Sequence, residues 1–86
     1  METLVLSKKL QKDWKQCIVG LRWINERKRF IIHIEPGEKK YNVMIWKYPA
    51  THFRGSNVYI KNVNFNTYEQ SLDYVKKWIL KLSRIN

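Results

Sequence analysis

The sequence predicts an α+β domain: a two-layer antiparallel β-meander of about four strands packed on one C-terminal α-helix, in the order ββββα. Three observations carry that prediction. Apolar residues alternate with polar ones between positions 15 and 65, as in strands half-buried against a core. Turn residues interrupt the alternation at short intervals, which favours hairpins between neighbours. From Tyr68 the rhythm changes: Tyr68, Leu72, Val75, Ile79 and Leu82 recur at helical spacing, giving one long apolar stripe. The chain of 86 residues suits a single small basic domain, 1–86, with a peripheral segment at 1–14, a sheet at 15–65 and a helix at 66–84.

Within 1–14, Leu6, Leu10 and Trp14 recur every four residues behind Ser7, predicting a short N-terminal helix, although Thr3 to Leu6 also suits a strand. Cys17, Val19, Leu21 and Trp23 alternate with Ile18, Gly20, Arg22 and Ile24 in a first strand. Asn25 and Glu26 break it, and Arg27 to Glu35 forms a second, with Phe30, Ile32 and Ile34 on the inner face. Pro36-Gly37 predicts a type II turn, in which Pro presets φ and Gly accepts a positive φ. Tyr41 to Tyr48 reads as the third strand, ended by Pro49, and Asn57 to Phe65 as the fourth. Asn66 or Thr67 caps the helix, with Glu69 or Gln70 as the capping-box partner.

Composition narrows the function. Seventeen Lys and Arg stand against seven Asp and Glu, a net charge of +10, interleaved with four Trp, five Tyr and three Phe. That much charge opposes compaction unless a partner neutralises it, and cations beside rings suit a polyanion whose bases stack. An AT-rich genome would explain Lys, Ile and Asn, but not Arg22, Arg27, Arg29, Arg54 and Arg84 or the aromatics. DNA or RNA is therefore the expected partner.

Catalysis has little support. His33 and His52 lack neighbours at metal-ligand spacing, and there is no phosphate loop, nucleophile elbow or close carboxylate pair. No catalytic residue, metal or cofactor is expected. Cys17 is the sole cysteine and alternates with apolar neighbours, which predicts a core position in a reduced setting. The first residues lack a long enough apolar run for a signal peptide, and no stretch approaches the ~20 apolar residues of a membrane span. A soluble intracellular protein of cytoplasm or nucleoid is expected, with no membrane partner.

The candidate site is the sheet face that the helix leaves open. With Val19, Leu21 and Trp23 inward, Arg22 faces out; with Val58 and Ile60 inward, Tyr59 and Lys61 do. Arg27, Arg29 and His33 share the outer face of the second strand. On the third, burying Val43 and Ile45 exposes Met44, Trp46 and Tyr48, and a shift by one residue reverses this. Arg22, Arg27, Arg29 and Lys61 would meet phosphates or base edges, and Trp46, Tyr48 and Tyr59 would stack. Arg54, in the loop His52-Phe53-Arg54-Gly55, joins them as a residue that clamps a strand or enters a groove. Trp14, Trp23 and Trp78 read as core.

The segment Gly20-Leu-Arg22-Trp-Ile-Asn-Glu-Arg-Lys-Arg-Phe30-Ile-Ile-His-Ile34 resembles the opening of AP2-type DNA-binding domains. Those begin with Gly-x-Arg, turn through a polar hairpin and continue with a basic-aromatic strand. Tyr59 to Val75, with its Phe65-x-Thr67-x-Glu69 step, is similar to that family's last strand and the start of its helix. The resemblance spans roughly residues 18–80. It implies a three-stranded sheet backed by a helix, with Arg22, Arg27 and Arg29 contacting DNA in the major groove. Phe30 stands where Trp is more usual, and residues 41–56 add room for a further strand. The layout also resembles PC4 and whirly single-strand binders, which implies a sheet gripping unpaired DNA and a homodimer. A different class of function is a small phage or mobile-element inhibitor, whose basic surface docks an acidic or nucleoprotein partner.

Overall fold

The structure, a computed structural model, describes residues 6–48 and 58–85. The elements in chain order are α1 (Lys8–Asp13), β1 (Lys15–Ile18), β2 (Arg22–Asn25), β3 (Phe30–Pro36), β4 (Tyr41–Lys47), β5 (Val58–Phe65) and α2 (Tyr68–Ser83). The strands form one antiparallel sheet in the order β1-β2-β3-β4-β5, and α2 packs on one face. This is the predicted two-layer α+β meander with one more strand. Among the described residues, no helix is long and apolar enough to cross a membrane.

The extra strand comes from the Val19-Gly20-Leu21 segment, which was expected to continue the first strand. Instead Gly20 takes a φ of 73°, open to glycine but costly for a residue with a Cβ, and the chain reverses there. The Leu21 N–H donates to the Ile18 carbonyl at 2.9 Å, closing a hairpin. A Cβ on Gly20 would also lie 2.7 Å from the Tyr68 hydroxyl, which donates to the Gly20 carbonyl at 2.6 Å. The turn is thus fixed by a residue 48 positions away. It carries Cys17 and Val19 out of the core: Cys17 is exposed and Val19 is 84% exposed, both against expectation.

Two other turns differ from the sequence reading. β3 starts at Phe30 because residues 26–29 form the turn, held by the Lys28 N–H donating to the Asn25 side chain at 2.9 Å. Arg29, rather than a glycine, supplies the left-handed residue there, with φ 63°. At the next hairpin, Gly37 donates to the Lys40 carbonyl at 2.8 Å without a positive φ, so the type II turn at Pro36-Gly37 does not form.

α2 begins as predicted. Thr67 accepts from the Gln70 N–H at 3.2 Å, and the Gln70 side chain accepts from the Asn66 N–H at 3.2 Å. Its buried face, Leu72, Val75, Trp78, Ile79 and Leu82, meets Phe30, Ile32, Ile34, Val43 and Ile45 of the sheet. Trp14 and Trp23 join this core, each 2% exposed, as expected. α1 stays peripheral, but Trp14 beside it donates its ring N–H to the Ser83 hydroxyl at 2.9 Å, tying the segment to the end of α2. The end of α2 receives the Lys28 ammonium, 2.7 Å from the Ser83 carbonyl, with the carbonyls of Leu82 and, just beyond the helix, Ile85 also in reach.

Candidate nucleic-acid interface

Strand register settles which side chains share the face opposite α2. Arg22 pairs with His33, His33 with Met44 and Met44 with Asn62, forming one row. Ile24, Ile31, Trp46 and Tyr59 form the next, and Glu35, Asn42 and Asn64 a third. Val43 and Ile45 are buried on the α2 side, so β4 adopts the register that turns Trp46 outward.

Trp46 and Tyr59 stand side by side across β4 and β5, with ring centroids 5.6 Å apart and planes tilted by 56°. Tyr59 is 63% exposed, which leaves much of its surface open to solvent. A β-bulge sets this pairing. Ile45 pairs with Lys61 and Trp46 with Tyr59, so Ile60 is the additional residue. The bulge turns both Ile60 and Lys61 to the α2 side, where the Lys61 ammonium sits 5.9 Å from the Trp78 ring centroid. Lys61 is therefore not on the open face, contrary to the plain alternation of its strand.

His33 is also placed differently from expectation. It lies within the open face but is 6% exposed, beneath its neighbours. The Arg22 Nε–H donates to His33 Nδ1 at 3.2 Å, and His33 Nε2 lies 2.7 Å from a Glu35 oxygen. Because arginine only donates, Nδ1 must accept, so the ring proton sits on Nε2 and is donated to Glu35. The imidazole acts as a spacer that orients Arg22 rather than as a surface contact. Beside it, the Asn42 amide donates to the side-chain oxygens of Asn62 at 2.6 Å and Asn64 at 3.0 Å. Alternation alone pairs Asn62 with Asn64 on one face; adding Asn42 requires the β4–β5 register.

Arg27 and Arg29 lie in the turn at one end of the sheet rather than on its face. Tyr48, just beyond β4, reaches the same end, where its N–H donates to the Arg29 carbonyl at 3.0 Å. Burial raises the Tyr48 phenol pKa above its ordinary value; Glu26 adds to this, Arg29 opposes it and Cys17 adds again, so the group remains a neutral donor. Arg54 and its loop lie outside the described residues. The structure thus brings together Arg22, Trp46 and Tyr59 on the face and Arg27, Arg29 and Tyr48 at its end. Lys61 lies apart from both.

Among the described residues, no cluster of His, Cys, Asp or Glu is arranged to hold a metal ion. No family model, curated protein or solved structure matches the chain.

Proposed function

We propose that this protein is a non-enzymatic nucleic-acid-binding domain that lays a single strand of DNA or RNA across its open sheet face. The observation that carries this reading is the pair of half-buried Trp46 and exposed Tyr59, on a face that neither described helix covers, in a chain of net charge +10. Paired rings offer bases a stacking surface worth ~1–3 kcal/mol per base, and stacking on them requires bases already out of a duplex. Arg22, oriented by His33, supplies a cation on the same face two strands from Trp46, and the Asn42–Asn62–Asn64 amides offer donors and acceptors to base edges. Arg27, Arg29 and Tyr48 extend the surface at the end of the sheet. Such a protein would work in the cytoplasm or nucleoid.

Tryptophan fluorescence titration with single-stranded DNA, single-stranded RNA and duplex DNA at several salt concentrations tests the proposal. Affinity should fall linearly with salt on logarithmic axes, and single strands should compete out duplex. Preference for duplex would favour the AP2-type alternative, with the sheet in the major groove. A flat salt response, or no binding at low salt, would sink both.

A further inference from the structure

The turn between β2 and β3 is built at a cost. Arg29 holds φ 63°, where a long side chain is strained and glycine is not. Its Nε is buried with no hydrogen-bond partner among the described residues. A buried donor without an acceptor calls for a partner, and a bound water or anion would supply one. The side chain lines a cavity of about 170 Å³ with Arg27, Lys28, Phe30, Lys47 and Ile85. Four of those six residues are cationic and none is acidic.

Each cation has a defined position. Lys47, at the end of β4, lies with its ammonium 5.5 Å from the Phe30 ring centroid, which anchors it at the cavity wall. Lys28 is committed to the α2 carbonyls, so it neutralises the negative end of that helix, which would otherwise disfavour an anion here. The nearest acid in sequence, Glu26, pairs with Lys15 at 3.5 Å. Among the described residues, Arg27, Arg29 and Lys47 have no acidic partner and can meet a ligand. Arginine's planar fork matches phosphate oxygens with two donors at once.

The geometry points to a phosphate-binding pocket, in which Arg29 and Lys47 hold one phosphate group and Arg27 closes over it. The pocket lies at the end of the sheet on the α2 side, where Phe30 pairs with Lys47 and Ile85 follows α2, and Tyr48 continues from Lys47 around that end. Resting on the nucleic-acid reading, the phosphate is that of a strand that leaves Trp46 and Tyr59 and rounds the end of the sheet, either within its backbone or at its 5′ end.

The test follows the Arg29 Nε–H signal by ¹H–¹⁵N NMR during titration with inorganic phosphate, with chloride at matched ionic strength as the control. A saturable shift with phosphate alone is expected. Oligonucleotides with and without a 5′-phosphate then separate the two sources: an equal shift assigns the backbone, and a shift only with the phosphorylated strand assigns the end. In Arg29→Gly, followed at the backbone amides of residues 27–30 and 47, the phosphate shifts should disappear while Tm holds or rises, because glycine accepts φ 63° without strain. Lys47→Gln should lower the slope of log affinity against log salt by about one. No phosphate-specific shift, or a response surviving Arg29→Gly, overturns the pocket. Phosphate binding with no oligonucleotide binding leaves the pocket standing and removes the nucleic-acid reading instead.

Discussion

The two faces of the sheet are built on different principles. On the α2 side, Ile32, Ile34, Val43 and Ile45 are each 0% exposed and interlock with Val75 and Ile79, also 0% exposed. The opposite face holds half-buried Ile24, Ile31, Met44 and Trp46 around a polar line of Arg22, His33 and Glu35. One face is fixed by close packing, where any lost volume is felt across the core. The other is fixed by a few directed contacts, so a side chain there can change while the backbone stays. A small domain has only one core, and here the face opposite α2 is left outside it.

The largest effect should come from the packed face. Ile79→Ala removes a fully buried side chain from the packed face of α2, for which about 2–5 kcal/mol is expected. A domain of this length has a total stability of about 4–13 kcal/mol, so urea denaturation should show a large drop in midpoint or loss of cooperative folding. Tyr59→Ala on the open face should cost less than about 1 kcal/mol in the same assay. Similar losses at both positions would break the contrast between the faces.

Binding should reverse that order. Tyr59→Ala and Trp46→Ala should each weaken single-strand binding by about 1–3 kcal/mol, or roughly 5- to 150-fold, with little change in melting. Because the rings touch, the double variant should fall short of the sum of the single effects. Strict additivity in fluorescence titration would show that the rings act on separate bases. Unchanged affinity would assign the pair to sheet stabilisation instead.

How far each face was legible in the sequence follows from the same contrast. Phe30, Ile32, Ile34 and the α2 stripe were readable because burial imposes a period, and the period survives in the residue order. The outward turn of Trp46 was one of two registers that alternation left open, because both faces of the strand are apolar, and the burial of Val43 and Ile45 against α2 decides it. Lys61 was misplaced because a bulge adds one residue, and nothing in Tyr59-Ile60-Lys61 marks it. Cys17 and Val19 were misplaced because Gly20 reads as a strand residue until Tyr68 is known to dock on it. The His33 spacer required a cross-strand neighbour and the pocket required the end of α2, both contacts distant in sequence.

The Gly20–Tyr68 contact offers a finer test, since it ties the β1–β2 hairpin to the first turn of α2. Tyr68→Phe removes a hydroxyl that donates to the Gly20 carbonyl at 2.6 Å, for an expected loss of about 1 kcal/mol at neutral pH. Burial raises the pKa of that phenol above its ordinary 10.0, and the charges of Glu69 and Tyr41 add to the shift. The folded chain therefore holds this proton more tightly than the unfolded chain. The stabilisation is fully present below pH 10.0 and is lost as pH rises through the higher folded value. The difference in stability between the native sequence and Tyr68→Phe should then shrink above pH 10.0, while the separate contribution of Tyr48 persists in both proteins and cancels. A difference that stays constant through that range would mean the hydroxyl is open to solvent and the hairpin is held by Gly20 alone.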